Sequence, residues 1–278
     1  MRANDTPLQP TDGRAVSTLM KALLLAGAAV FFSLSTPAAA QDADDLRDRL
    51  GIGAQLTPEF IGAKDYGIGP LFDLDFARGD NPFPFEAPDD SFGMKLISSG
   101  RFAAGPAANI RWKREESDVG APVGKVKTTI EIGGFAEYRA SEKIRLRADL
   151  RKGVNGHEGV VGSFGADRVW RDGDRYVFSI GPRVLFSDAR FQRAYFGVDS
   201  AAALASGLPA YRPDGGIYAV AVASGLSYQF NPRWGLFGYA RYERLIGDAA
   251  KSPIVRELGS RNQLSGGLGL SYSFTVKR

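Results

Sequence analysis

The sequence predicts an all-β protein, an antiparallel transmembrane β-barrel of 12 strands that follows a cleaved signal peptide. Three observations lead to this prediction. An apolar run near the N-terminus ends in small residues, apolar and polar residues alternate in several later segments, and these segments are about 10–14 residues long. Strands of soluble proteins average about 5–6 residues, whereas a tilted strand that crosses a membrane needs about 9–11.

The first part of the chain has the features of an export signal. Met20-Lys21 precedes the apolar run 22–32, and the segment ends in Ala38-Ala39-Ala40. A basic start, a short apolar core and an Ala-x-Ala end are typical of a secretory signal peptide. The run is too short for a transmembrane helix, which takes about 20 residues to cross about 30 Å of hydrocarbon. We therefore assign residues 1–40 to an N-terminal extension and signal peptide, and residues 41–278 to an outer-membrane β-barrel domain.

The mature protein is expected to begin at Gln41, whether translation starts at Met1 or at Met20. Cleavage after Ala40 follows from the small residues that precede it. Mass spectrometry of the protein extracted from cell envelopes measures this terminus directly, and recovery of intact residues 1–40 would refute the prediction.

Composition excludes several classes of site. The chain has no cysteine, so it forms no disulfide and carries no lipid-anchor thiol. Removing residues 1–40 takes away three of the 35 basic and two of the 31 acidic residues, and the remaining near balance gives no argument for nucleic-acid binding. The 34 glycines and 18 phenylalanines suit closely packed β structure.

Strict alternation is the main signal for strands. In Ile144-Arg145-Leu146-Arg147-Ala148-Asp149-Leu150-Arg151 the even positions are apolar and the odd positions are charged. A period of two indicates a strand with one apolar and one polar face. The same pattern recurs at 130–138, 176–184, 234–242 and 264–274.

A soluble sandwich also alternates, and two further features favour a membrane barrel. Charges lie deep inside the strands, as they do on a polar lumen wall. Aromatic residues cluster at strand ends, as they do in interfacial girdles. The aromatic residues are Trp112, Trp170, Tyr176, Tyr228, Phe230, Trp234, Tyr272 and Phe274.

Loop lengths predict the topology, because short turns belong on the periplasmic side and long loops outside. Short turns fall at 140–142, 171–174 and 231–232, and longer polar loops at 115–127, 152–158, 188–215 and 246–260. Eight strands are predicted near 101–114, 127–139, 143–152, 158–170, 175–188, 216–230, 233–246 and 260–274. A periplasmic N-terminus requires an even number of strands before residue 101, and the candidates are 49–57, 67–77, 82–87 and 91–97.

The segment 82–87 is the weakest candidate, because Pro82 and Pro84 cannot donate to a ladder. All four candidates give 12 strands, and the loss of both short pieces gives 10.

Several stretches between residues 50 and 274 resemble a known family. They are Pro58-Glu59-Phe60-Ile61-Gly62, Gly134–Arg139, Leu146–Arg151, Phe191–Val198, Ala205–Tyr211, and Leu245–Val255 running into Gly259–Gln263. The chain resembles the MipA/OmpV family, the MltA-interacting proteins. Two departures are Phe60, where the family has tyrosine, and the residues Thr275–Arg278 after the terminal aromatic Phe274.

The resemblance implies an outer-membrane barrel in the cell envelope of a Gram-negative bacterium. It also implies partners: outer-membrane lipid, and a murein transglycosylase and a murein synthase joined by the barrel as a scaffold. Other members of the family are described as adhesins.

Catalysis finds little support in the residues, and we predict that the protein is not an enzyme. The single histidine, His157, lies in a glycine-flanked loop, where a solvated side chain is expected. A hydrolase could combine it with Ser163 and with Asn155 or Glu158, but proximity in sequence does not establish such a site. One histidine without cysteine cannot form a His/Cys metal site. We predict no catalytic, cofactor or metal residues.

The predicted lumen carries mixed charge. Mixed charge either lines an aqueous path or interlocks and fills the barrel, and we expect a plugged or narrow lumen. The leading function is therefore a non-enzymatic scaffold or adhesion protein, and the alternative is a narrow channel for small solutes. The predicted inward charges are Asp73, Asp75, Glu131, Glu137, Arg139, Arg145, Arg147, Asp149, Arg151, Arg183, Arg241 and Glu243.

The longest loop, 188–215, is the candidate for partner binding. Exposed aromatic residues in loops often anchor partners, but the same residues can fold into the barrel mouth. Ala201–Ala205 favours a helical turn that Gly207 and Pro209 would end. We expect an ordered lid over the extracellular mouth. Its anchoring residues are Phe191, Tyr195, Phe196, Leu208 and Tyr211.

Overall fold

The computed structural model describes residues 45–277, and the predicted signal peptide lies outside them. The described chain forms one antiparallel sheet of twelve strands, which confirms the predicted fold class. The strands are β1 (Leu46–Pro58), β2 (Tyr66–Arg78), β3 (Phe92–Gly93), β4 (Ile97–Ser99), β5 (Phe102–Arg111), β6 (Thr129–Ser141), β7 (Ile144–Gly153), β8 (Val160–Asp172), β9 (Tyr176–Ser187), β10 (Gly216–Gln229), β11 (Trp234–Leu245) and β12 (Asn262–Val276).

The sheet curls around a polar interior, and its first and last strands pair with each other. β1 lies beside β12, with Leu46 opposite Val276, and the strands then follow one another in reverse chain order from β12 to β5. The two edges of the sheet are β2 on one side, and β3 with β4 on the other.

Side-chain orientation follows the period of two. On β7 the odd residues Arg145, Arg147 and Asp149 are buried, whereas Leu150 is 54% exposed. Large apolar side chains lie on the outer face of the neighbouring strands as well, for example Ile132 and Leu268. This exterior suits contact with lipid hydrocarbon, and the polar groups are left to the interior.

An aromatic girdle lies at the end of the barrel where the turns are short. The ring centroids of Trp170 and Phe178 are 5.5 Å apart, and those of Trp234 and Tyr272 are 4.9 Å apart. Such rings suit the membrane–water interface, where an apolar ring also has access to water. Short turns mark this end as periplasmic.

The strand predicted at 82–87 is wrong. Residues 81–87 form no strand, and the segment 79–91 runs inside the barrel instead. The predicted strand at 91–97 is interrupted, since only β3 and β4 pair with β5 there. Proline explains the first difference, because Pro82, Pro84 and Pro88 supply no N–H donor for a ladder.

Short helices lie in the long loops. They are α1 (Glu116–Val119), α2 (Ala189–Phe196), α3 (Ser200–Ser206), α4 (Gly247–Lys251) and a π-helical turn (Ile254–Leu258). Asp188 and Asp199 cap α2 and α3 by accepting backbone N–H bonds. Gly207, with φ of 77°, ends α3, as predicted. No helix within residues 45–277 is long and apolar enough to cross a membrane.

Four loops pack together at the extracellular end. Two apolar clusters join loops 59–65, 115–127, 188–215 and 246–260, which we call the lid. One cluster contains Phe191, Phe196 and Val255, and the other contains Phe60 and Val123. Burial of these side chains gives the loops a core of their own.

Candidate functional site

The interior segment, residues 79–91, enters the lumen at the periplasmic end. The N–H of Gly79 donates to the carbonyl of Asp45 over 2.9 Å, and the N–H of Phe83 donates to the Asp174 carboxylate over 2.9 Å. Asp174 lies in the periplasmic turn between β8 and β9. The segment then rises to Ser91 and rejoins the wall at Phe92, beside Ala108 of β5.

Two carboxylates of the interior segment make forked ion pairs with arginines of the wall. Asp90 accepts from Nη1 and Nη2 of Arg145 over 2.6 and 3.1 Å. Asp89 accepts from Nε and Nη2 of Arg183 over 3.0 and 2.9 Å. Paired bonds of this kind match the planar guanidinium to the carboxylate and are stronger than single contacts.

A wall carboxylate connects these two arginines. Asp167 on β8 accepts from Arg145 and from Arg183, each over 2.7 Å, and is 2% exposed. Arg147 donates to the hydroxyl of Ser91 over 3.1 Å, and that hydroxyl donates to Asp149. Every charge in this cluster therefore has an opposite partner, as burial requires.

A second charged cluster lies nearer the lid and centres on Glu131. Its carboxylate accepts from Arg111 over 2.8 Å, from Arg151 over 3.2 Å and from Asn109 over 3.2 Å, and it is completely buried. Two side chains of β5 and one of β7 thus converge on one carboxylate of β6. We expect this arrangement to fix the spacing of β5, β6 and β7.

His157 also contacts Glu131, so the expectation of a solvated side chain is wrong. Its Nε2 lies 3.1 Å from the Glu131 carboxylate, and its Nδ1 accepts the N–H of Gly159 over 3.0 Å. The ring packs edge-on against Phe191, with centroids 5.0 Å apart. Both ring nitrogens are occupied, and neither contacts the hydroxyl of Ser163.

The remaining predicted lumen charges lie on the inner face of the barrel. Glu137 pairs with Lys95 and Arg139, each over 3.3 Å. Arg241 pairs with Glu243 and lies 3.6 Å from Asp89. Arg151 reaches Asp149 as well as Glu131, while Asp73 and Asp75 both face Arg49.

The aromatic residues predicted for loop 188–215 lie inside the lid. Phe191 and Phe196 are completely buried, Tyr195 and Leu208 are buried, and Tyr211 is half-buried. Burial raises the pKa of the Tyr195 hydroxyl above its ordinary value. In this arrangement the side chains contact other loops and are not presented to an external partner.

Polar bonds also connect the loops of the lid. Arg114 donates to the carbonyl of Tyr195 over 2.8 Å. The hydroxyl of Ser252 donates to the carbonyl of Phe196 over 2.7 Å, and that of Tyr211 donates to the carbonyl of Asp248 over 2.9 Å. The lid therefore has hydrogen bonds and an apolar core, which oppose loop mobility.

Sequence reasoning missed the interior segment and the roles of Arg49 and Arg111. A detectable signal was present: three prolines and four acidic residues lie between 80 and 90, in a region where apolar and polar residues do not alternate. A stretch that cannot join a ladder and that carries carboxylates needs cationic partners if it is buried. The inward arginines supply them.

Comparison with known proteins identifies the family. The model of the family described as "MltA-interacting protein MipA" matches residues 50–274. The chain belongs to the MipA family. This MipA-family protein is an outer-membrane β-barrel, in agreement with its lipid-facing apolar exterior. No curated protein sequence matches the chain.

Several solved outer-membrane barrels are similar to this MipA-family protein at low identity. An outer membrane channel from Pseudomonas putida F1 is 10% identical with a TM-score of 0.43, covering 87% of this chain and 100% of its own. The NanC porin is 10% identical with a TM-score of 0.36, covering 82% and 98%. OprG from Pseudomonas aeruginosa is 11% identical with a TM-score of 0.24, covering 84% and 98%. These are similarities of fold, and they carry no argument about function.

Proposed function

We propose that this MipA-family barrel is a non-enzymatic interaction protein that holds a murein transglycosylase at the periplasmic face of the outer membrane, where a murein synthase joins it. The observation that supports this proposal best is the filled interior. The interior segment occupies the lumen with bonded charges, and the lid covers the other end. A barrel without an open path acts through its surfaces.

The periplasmic rim has the charge of a docking surface. Exposed basic residues in the turns and at the adjoining strand ends outnumber exposed acidic ones. Such an excess attracts an acidic partner surface and speeds its association. The exposed basic residues at this rim are Arg78, Arg101, Lys143, Arg175, Arg233 and Lys277, and the exposed acidic ones are Asp80, Glu142 and Asp172.

The partner follows from the family description, which names MltA. MltA is a murein transglycosylase, and murein lies on the periplasmic side of the outer membrane. The basic residues of the periplasmic rim lie on the side that faces murein. We therefore assign partner binding to this rim and not to the buried aromatic residues of the lid.

Reversing charges at this rim is expected to weaken binding of the purified transglycosylase. The variant Lys143→Glu/Arg233→Glu in lipid nanodiscs should bind at least about tenfold more weakly than the wild type, because attraction becomes repulsion. Titration by fluorescence anisotropy measures the Kd, and raising the salt concentration should reduce the difference.

The matched control makes the same charge change on the opposite rim. Lys125→Glu/Arg256→Glu alters two exposed residues of the lid and should leave the Kd unchanged. Absence of wild-type binding, or equal loss in both variants, would reject the proposed docking surface. Loss of binding in the lid variant alone would reject it as well.

A narrow channel is the second candidate, and the arginine-rich inner wall is the observation that favours it. Planar-bilayer recording separates the two functions. The interaction role predicts no steady single-channel steps from the wild-type protein, whereas steady steps would favour the channel.

A further inference from the structure

The inner wall of the barrel carries an excess of positive charge. Among the inward-facing positions of the described strands there are ten arginines and seven carboxylates. The arginines are Arg47, Arg49, Arg111, Arg139, Arg145, Arg147, Arg151, Arg171, Arg183 and Arg241, and the carboxylates are Asp73, Asp75, Glu131, Glu137, Asp149, Asp167 and Glu243. The wall alone is therefore cationic by three charges.

The interior segment supplies the missing negative charges. Glu86, Asp89 and Asp90 are the carboxylates on its course through the lumen. Asp89 and Asp90 meet Arg183 and Arg145 by forked bonds, the geometry with which arginine binds free carboxylates and phosphates. The segment thus occupies an anion site as a ligand would.

No β-ladder hydrogen bonds attach this segment to the sheet. Two of its N–H groups bond to other parts of the barrel. That of Gly79 donates to the carbonyl of Asp45, and that of Phe83 donates to the carboxylate of Asp174. Guanidinium groups also lie over its rings, with Arg49 4.6 Å from the centre of Phe83 and Arg145 4.7 Å from that of Phe85. Withdrawal of the segment would break side-chain contacts and leave the strand ladders intact.

A small cavity marks the place where an anion would sit. It lies among Asp89, Asp90, Arg145, Arg147, Asp167 and Arg183. Without the two aspartates of the interior segment, its lining would consist of three arginines and the wall carboxylate Asp167, together with Asp149 and small residues. That lining favours an anion that can accept several N–H bonds at once.

We propose that the interior segment is a built-in anionic plug, and that its withdrawal exposes an arginine site that binds small multivalent oxyanions and admits anions to the lumen. The ligand class is defined by the forked bonds: a phosphate or a small polycarboxylate presents oxygen pairs to Arg145 and Arg183 as Asp90 and Asp89 do. The plug would keep this path closed while the rims serve the interaction role, which does not depend on it.

Neutralising the plug tests this inference. Residues 192–210 of the lid are deleted in every protein of this test, so that only the plug can close the path. In this background the variant Asp89→Asn/Asp90→Asn, reconstituted in planar bilayers, should conduct at least about tenfold more than the protein with wild-type Asp89 and Asp90, because the paired charges no longer hold the segment. Under a potassium chloride gradient, the reversal potential should have the sign of the chloride equilibrium potential. Inorganic phosphate should block the current. Adding Arg145→Ser/Arg183→Ser to this variant should abolish the phosphate block.

Asp80→Asn is the matched control, since Asp80 is an exposed carboxylate of the same segment at the periplasmic rim. It should stay as silent as the wild type. A folded Asp89→Asn/Asp90→Asn protein that is silent, or that selects cations, would overturn the inference. Current from the Asp80→Asn control equal to that of the double variant would also overturn it.

A second design removes folding from the question. A protease site inserted between Asp80 and Asn81, again without residues 192–210 of the lid, allows a barrel with the wild-type plug charges to fold and then to be cut. Cutting frees one end of the plug, so anion-selective, phosphate-sensitive current should appear in 1 M salt, where screening weakens its remaining ion pairs. Complete cleavage without current would overturn the inference.

Discussion

Replacing Glu131 by alanine is expected to lower the free energy of unfolding by about 3–5 kcal/mol, because it leaves the inward-facing charge of Arg111 without a carboxylate partner. Arg111 and Arg151 both donate to this carboxylate, and His157 loses the acceptor of its Nε2–H. Urea unfolding in lipid vesicles, followed by tryptophan fluorescence, measures the loss.

Two further variants provide comparisons for this loss of stability. Glu131→Gln keeps the shape and one acceptor oxygen, so its loss should lie between those of the wild type and Glu131→Ala. Glu142→Ala removes an exposed carboxylate of the periplasmic turn between β6 and β7 and should change stability by less than about 0.5 kcal/mol. Equal effects of Glu131→Ala and Glu142→Ala would show that the buried cluster does not stabilise the barrel.

The strands of the barrel wall could be predicted because the pattern that defines them involves residues close together in sequence. Lipid on one side and polar groups on the other require successive side chains to alternate, and residues 144–151 show that alternation without exception. Chain direction then follows from loop length. The position of each strand therefore depends on residues that are neighbours in sequence.

The interior segment could not be placed by this reasoning, because distant residues hold it. Asp89 pairs with Arg183, 94 positions away, and Asp90 with Arg145, 55 positions away. A barrel of 12 strands nevertheless needs a pass towards the outside between β2 and β3, whereas the alternative of 10 strands does not. The segment makes that pass through the lumen, where guanidinium groups replace the ladder that its prolines exclude.

His157 shows the same limit at the scale of one side chain. Its glycine-flanked sequence is typical of an exposed loop, yet the residue is 4% exposed. Phe191 of the lid covers it, and Glu131 of the wall binds it. Burial of a loop residue depends on what folds over it, and that information lies in another loop.

Leu146→Arg is expected to impair barrel assembly, at a cost of about 2–4 kcal/mol if the side chain lies near the bilayer midplane. Leu146 lies on the outer face of β7, between Tyr138 of β6 and Ala166 of β8. Arginine there would place a guanidinium in hydrocarbon. The yield of heat-modifiable protein in the outer-membrane fraction measures assembly.

Two comparisons make this a test of strand orientation. Leu204→Arg introduces the same residue at a leucine of the lid that is 89% exposed, so assembly should be unaffected. Arg147→Ala should be milder than Leu146→Arg, because Asp149 keeps Arg151 and Asp90 keeps Arg145 as partners. If Arg147→Ala instead prevented assembly while Leu146→Arg did not, the outer face of β7 would have been assigned to the wrong residues. A shift of one residue in a strand exchanges its lipid and lumen faces, so the ranking of these two neighbours reports the register of the whole strand.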